Sequence, residues 1–424
     1  MKKALIAATL LLSSTVVLAK TTVLTADRMI DVDNGTLVNN AVVVITDNVI
    51  SQAGPKDAVN YPADAEVIKL GNYTLMPGFM DMHVHLTSDA TKHGYKQLAD
   101  SLPRMTLTGV KHAKATLMAG FTTVRNVGAP GFADVALRDA INDGDIAGPR
   151  MFVSGPSLGV TGGHCDNNLL PFEFHAVSEG VADGPWAVRE AVRRNIKYGA
   201  TVIKFCGTGG VLSKGTKVGV QQYTLEEMQA LVDEAHMRGL TVATHAHGTQ
   251  GIKTAIKAGV DSVEHVSLLD DEGIELALQH GTYFSMDIYV TEYILGEGEA
   301  AGILEESLNK ERIVGKRQRE SFKKAVEAGV KIVFGTDAGV YPHGDNGKQF
   351  ARMVEFGMTP MQAIQAATIQ PATLLKQQDN LGSIKAGKMA DIVGVQGNPL
   401  DDISLLENVG LVVKDGHIVK SVAM

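Results

Sequence analysis

His83 and His85 close the apolar run Met76-Pro77-Gly78-Phe79-Met80-Asp81-Met82 with a His-X-His pair. Side chains two apart on a strand share a face, so this pair can chelate one metal ion. Alone, such a pair is more often two polar residues at a strand end. Further candidate ligands come from other apolar runs. Lys204 lies within Val202-Ile203-Lys204-Phe205, His245 ends a second run with His247 beside it, His265 lies in a third, and Asp337 follows Gly335-Thr336. Imidazole and carboxylate suit zinc or a similar divalent ion. Burial without a partner would push Lys204 toward the neutral amine. A neutral amine can take up carbon dioxide and become a carbamate whose two oxygens bridge two cations; the plain alternative is a structural ion pair.

These residues need a scaffold that brings strand ends to one face. From residue 76 to about 370, short apolar runs alternate with helical stretches, the pattern of βα units around a parallel sheet. The expected strands are Leu75 to His85, Thr122 to Asn126, Arg150 to Ser154, Thr201 to Phe205, Thr241 to His245, Ser262 to Val266, Thr282 to Asp287 and Lys331 to Thr336. Gly120, Gly199, Gly239, Gly259, Gly281 and Gly329 each stand between a helical pattern and a strand, where glycine ends a helix in the left-handed conformation at little cost. The recurrence points to one βα unit used repeatedly. Eight such units close into a (β/α)8 barrel, whose C-terminal strand ends form the catalytic face. An open doubly wound sheet would more often carry a nucleotide-binding glycine turn after its first strand, and none is there.

Residues 20–75 and 371–424 read differently, as alternating strands with turns at Asn34-Gly35 and Asp415-Gly416. Neither piece has enough strands to close a core. Together they predict a small β-sandwich built from both chain ends, with the TIM-like α/β barrel of residues 76–370 inserted between them. Thr224 and Glu227 have capping-box spacing at the start of a helix reaching Arg238. The charged stretch Leu304 to Ala328 reads as an outer helix without chemistry. The connections Gly155 to Gly184 and Cys206 to Tyr223 are too long for plain turns, and such loops hold substrate contacts in barrel enzymes.

Composition sets the remaining bounds. In 424 residues, 45% are hydrophobic, enough for a large core, and the formal charge of -8 argues against nucleic acid or an anionic membrane as partner. Residues 1–19 read as a signal peptide: Met1-Lys2-Lys3, an apolar core, and Val17-Leu18-Ala19 before a cleavage near Lys20. The expected product is exported, periplasmic or secreted, with no membrane attachment after cleavage; a homo-oligomer stays open. Cys165 and Cys206 are expected to be separate packed thiols, although an oxidising compartment permits a bridge.

The order His-X-His, Lys, His, His, Asp on strands one, four, five, six and eight resembles the binuclear metal branch of the amidohydrolase superfamily. Gly335-Thr336-Asp337-Ala338-Gly339 and the run Leu381 to Asp391 look like hallmarks of the same family. Thr161-Gly162-Gly163-His164 and Tyr341-Pro342-His343-Gly344-Asp345-Asn346 resemble its imidazolonepropionase-related group, which contains Xaa-Pro and Xaa-Arg dipeptidases and ochratoxinase-like amidases. The resemblance implies that His83, His85, carboxylated Lys204 and Asp337 hold one divalent ion, zinc by ligand type, while Lys204, His245 and His265 hold another. It implies hydrolysis of a dipeptide or N-acyl amino acid by hydroxide shared between the metals, with Asp337 moving the proton. His164 is a further catalytic candidate for the carbonyl oxygen, and His164, Tyr223 and His343 are candidate substrate contacts. His247 reads as a support for the ligands. Competing readings are a cyclic-amide hydrolase or deaminase of the same superfamily, and a non-catalytic exported metal- or solute-binding protein.

Overall fold

The computed structural model describes residues 20–421; the expected signal segment lies outside them. The chain opens with strands β1 (Thr21–Asp31), β2 (Thr36–Thr46), β3 (Val49–Pro55), β4 (Glu66–Lys69) and β5 (Tyr73–Pro77). Barrel strands follow: β6 (Phe79–Val84), β7 (Phe121–Asn126), β8 (Arg150–Val153), β9 (Ile203–Cys206), β10 (Val242–Ala246), β11 (Ser262–His265), β12 (Tyr283–Ser285) and β13 (Ile332–Val333). The chain closes with β14 (Ile392–Gln396), β15 (Leu411–Lys414) and β16 (His417–Ser421).

β6 to β8 pair in parallel, as do β9 to β13. Two sets of backbone bonds join these groups into a closed barrel. Thr201 N–H donates to Val153 O at 2.8 Å across one seam, and Met82 N–H to Phe334 O at 2.8 Å across the other. The six glycines before strands all adopt positive φ, from 69° at Gly281 to 101° at Gly199. Each ends a helix and turns the chain into the next strand, as the sequence pattern requires.

The first expected strand, Leu75 to His85, is two strands in two sheets. β5 pairs with β14 in the terminal sheet, while β6 enters the barrel. Both halves are buried, so no polar alternation marks the break. Gly78 is the joint: its N–H donates to Asp391 O at 2.8 Å, and a Cβ there would overlap the Thr122 side chain. Because β5 lies between β1 and β14, the terminal sheet runs β16-β15-β14-β5-β1-β2-β3, with β4 also on β1. Its inner face packs Leu24, Val43, Ile45, Ile50, Leu75, Ile392 and Leu411. Ile30, Val32, Met76, Val393 and Val412 join the main barrel core instead, so the small domain and barrel share apolar packing.

The cysteine expectation also changes, since Cys165 and Cys206 form a disulfide. Sequence separation carries no information about proximity when a long loop returns to a neighbouring strand.

Gly78→Ala is expected to destabilise the protein by about 1–3 kcal/mol, the usual cost of forcing extra volume into a packed site. A urea-unfolding midpoint equal to wild type would show that this joint tolerates a side chain.

Candidate active site

The barrel strands deliver their C-terminal residues into one cavity of about 250 Å³. It is lined by His83 and His85 from β6, Lys204 from β9, His245 and His247 from β10 and just beyond, His265 from β11, and Asp337 after β13. His164 enters from the loop after β8. The rings form a continuous cluster. Centroids are 4.9 Å apart for His83 and His265, 4.5 Å for His245 and His265, 4.7 Å for His247 and His265, and 4.1 Å for His164 stacked on His245. Asp337 Oδ1 lies 3.4 Å from His83 Nε2 and 3.3 Å from His85 Nε2.

Two of the candidate ligand positions depend on unusual backbone. His265 and Val266 have φ of 69° and 52°, and Asp337 has 59°. Left-handed geometry is costly for such residues and is retained where surrounding contacts demand it. On a regular strand Glu264 and His265 would face opposite ways. The turn at His265 lets both serve the interior, with Glu264 beneath the site and His265 in its wall. At Asp337 the turn is braced by Asp81, whose Oδ2 accepts from Thr336 Oγ1 at 2.6 Å and Asn346 Nδ2 at 2.8 Å. Burial pushes the Asp81 carboxyl up to about 7 against those bonds.

A layer below the cavity fixes the imidazoles. Glu264 accepts from His83 Nδ1 at 3.0 Å and from Arg125 at 2.8 Å, and Arg125 also reaches Met82 O and Ser262 Oγ. Arg125 and Glu264 are both 0% exposed, which makes each dependent on the other. Burial alone would raise the Glu264 carboxyl, but Arg125 and His83 hold it well below the usual range. Asp287, after β12, takes His265 Nδ1 at 3.0 Å and is itself held by Gln318 at 2.7 Å. Ser267 Oγ stands 2.7 Å from His247 Nδ1. Carboxylates behind imidazoles of this kind orient ring nitrogens toward a metal.

The electrostatics fit a bound cation. Burial, assisted by Lys204, lowers His83 to about 4. Burial and neighbouring imidazoles lower His164 to about 3 and place His245 and His247 well below the ordinary value. His265 is the exception: burial opposes protonation, yet Asp287 raises it overall. Burial lowers Lys204 to about 8, within reach of a neutral amine. Asp337 would be raised by burial, but the surrounding imidazoles keep it well below the carboxylate range. His245 Nε2 is buried without a hydrogen-bond partner. Neutral imidazole, carboxylate and an orphaned ring nitrogen form a donor set suited to a divalent metal. Ligand atoms of His83, His265 and Asp337, and those of His245, His247 and His265, each lie within 4.8 Å of one another.

Two expected substrate contacts lie elsewhere. Tyr223 is buried against Phe205, and its hydroxyl donates to Ala182 O at 2.9 Å, outside the cavity wall. Burial raises its phenol above the usual value. His343 sits behind His85, with Nε2 3.2 Å from His85 O, Nδ1 3.0 Å from Thr116 Oγ1, and its ring stacked on His112. It braces the end of β6 at His85. His164 does line the cavity, with Nδ1 2.8 Å from Ser213 Oγ and its N–H donating to Gln222 Oε1. A Cβ on Gly210 would overlap the His164 ring, so that loop needs glycine there.

The sequence pattern of the amidohydrolase family matches residues 74–419. The chain belongs to that family. Ochratoxinase of Aspergillus niger is 34% identical over 400 residues, covering 88% of this amidohydrolase and 81% of that enzyme. A solved Xaa-Pro dipeptidase with methionine bound in its active site superposes with a TM-score of 0.89 at 41% identity, covering 95% of this chain and 100% of that one. A prolidase complexed with N-methylphosphonate-L-proline gives 0.87 at 32% identity, with 95% and 100% coverage. This amidohydrolase is therefore a hydrolase of amide or peptide bonds with a small-molecule substrate.

Glu264, Arg125, Asp287 and Gln318 had no assigned role from sequence. Asp287 closed an expected strand and was open to the same reasoning as Asp337. Gln318 lies on the helix Glu305–Glu327, read as plain outer surface, yet one side of it reaches the cavity.

Glu264→Gln keeps the shape but removes the charge between Arg125 and His83. It is expected to weaken metal affinity roughly 10- to 100-fold and to destabilise the fold by about 3–5 kcal/mol. Chelator competition and chemical denaturation read the two effects; unchanged values in both would remove Glu264 from the support of the site.

Proposed function

We propose that this amidohydrolase is an exported dipeptidase that holds two divalent ions, zinc by ligand type, and cleaves dipeptides or N-acyl amino acids with an apolar C-terminal residue, Xaa-Pro first among them. The observation that carries the reading is the convergence of neutral imidazoles, Lys204 and ionised Asp337 in one cavity. His83, His85, Lys204 as carbamate, and Asp337 would hold one ion; Lys204, His245 and His265 would hold the other. When bound, such ions lower the pKa of water so that a nucleophile exists near neutral pH, and they polarise the scissile carbonyl.

The protein's own residues supply positioning and proton movement. Asp337, held between His83 and His85, receives the proton released by the attacking water and delivers it to the leaving nitrogen. With Ser213 as the donor to His164 Nδ1, 2.8 Å away, the ring proton would sit on Nε2, which could then face the carbonyl oxygen as charge develops. With its pKa near 3, His164 does this as a neutral donor throughout the physiological range. The depressed lysine pKa favours carbamate formation, since the neutral fraction grows as pH rises toward about 8.

Val211, Leu212, Val290, Ile294, Val314 and Val340 line the cavity alongside Asp89, Asp100 and Glu311, and these apolar side chains support an apolar substrate end. Lys92, which also lines the cavity, is engaged by Asp100 at 2.7 Å. Among the neighbours, the Xaa-Pro dipeptidase and the proline-phosphonate complex support proline. The Cys165–Cys206 disulfide supports an oxidising compartment and hence export. No helix among the described residues is long and apolar enough to cross a membrane.

Zinc-reconstituted protein is expected to release amino acid from Xaa-Pro dipeptides faster than from Xaa-Arg or Xaa-Lys. His245→Ala is expected to lose roughly 10³-fold or more in activity, the scale of removing an essential catalytic group, while remaining folded. Normal hydrolysis by His245→Ala would contradict the metal assignment, and faster cleavage of Xaa-Arg would contradict the apolar subsite.

A further inference from the structure

Cys165 follows His164 directly, and Cys206 stands two residues beyond Lys204 at the end of β9. Both half-cystines line the cavity, and their Cα atoms are 5.9 Å apart. The loop after β8 first runs beside β9: Leu158 N–H donates to Lys204 O at 2.9 Å, and Cys206 N–H to Leu158 O at 2.8 Å. The loop then departs, and the disulfide returns it to the same strand. A Cβ on Gly159 would stand 2.7 Å from Cys165 Cβ, so glycine makes room for the return.

The hydrogen bonds of His164 go to a different place. Its N–H donates to Gln222 and its Nδ1 meets Ser213, both in the glycine-rich connection after β9. That connection is a loop itself. The disulfide thus ties the His164 segment covalently to a barrel strand, next to a proposed ligand. A crosslink serving stability alone could close the 155–184 connection at many places; this one is adjacent to the residue that must be held over His245.

We propose that the Cys165–Cys206 disulfide is a positioning element of the active site, fixing His164 over the centre so that hydrolysis depends on the oxidised state. The proposal rests on the hydrolytic role given to His164 above. A dithiol reductant would transfer two electrons and two protons to the S–S bond, giving two thiols and the oxidised cyclic dithiol. His164 would then be held by Ser213 and Gln222 alone, and a segment with fewer ties opens more readily.

The test uses the full chain with Cys165→Ala, which leaves the residue nearer Lys204 in place. Measured together are kcat, KM, bound metal, and hydrogen exchange of residues 159–166. The expected result is a fall in kcat of roughly 10- to 100-fold, as for a small misplacement of a catalytic group, with KM within about twofold and metal content unchanged. Exchange is expected to accelerate in 159–166 but not in β9. In a His164→Ala background the same change is expected to cost less than about twofold more, because coupled residues are not additive. Wild-type kcat in Cys165→Ala, or an undiminished loss without His164, would overturn the proposal. Should Cys165→Ala not fold, wild type reduced with dithiothreitol and checked by thiol count gives the same comparison. If the wild-type protein cleaves no amide, the hydrolytic reading fails separately; unchanged exchange at 159–166 after reduction would still overturn the positioning claim.

Discussion

Neutral imidazoles crowded into one buried space, facing an ionised carboxylate and an amine poised near neutrality, make an arrangement that the polypeptide does not satisfy by itself. Desolvation strips His83, His164, His245 and His247 of much of their basicity. His245 Nε2 is left without a partner. A buried polar atom in that state is costly unless something binds it. A divalent cation is the species whose bonding calls for these electron pairs, and the rest of the architecture serves to hold them in place.

That service is layered. The barrel backbone brings strand ends to one face, and the left-handed turns at His265 and Asp337 aim two of them inward. Beneath, Arg125 and Glu264 form a fully buried pair that fixes His83, while Asp81 with Thr336 and Asn346 fixes the Asp337 turn. Alongside, Asp287 and Gln318 fix His265. The terminal sheet contributes from a distance, because β5 leads through Gly78 directly into β6, the strand that carries His83. Each support is itself buried and paired, so the strain at the site is carried by the surrounding packing.

Much of this was legible in the sequence. The six helix-ending glycines and the short apolar runs exposed the repeated βα unit, since backbone conformation and burial leave local marks. The residues that converge in the cavity followed from asking what stood at each strand end. What failed to show was non-local. Gly78 divides two strands that are equally buried, so periodicity passes through it unbroken. The disulfide depends on a loop returning to β9, and spacing does not encode that return. Tyr223 and His343 sit in loops near the expected face, but their side chains turn into packing at Ala182 and His85. Arg125 and Glu264 were hidden inside strands, where a lone charge looks incidental until its partner from another strand is seen.

The division of ligands between two ions is the central claim, and the position of His247 makes it sharply testable. Its ring stacks on His265, and His245, His247 and His265 could by themselves surround one ion. Anomalous diffraction at the zinc edge from crystals of the zinc-reconstituted protein measures this directly. The account predicts two peaks, one beside His83, His85 and Asp337 and one beside His245 and His265, with density for a carboxylated Lys204 between them. A single peak enclosed by His245, His247 and His265, with Lys204 unmodified, would contradict it.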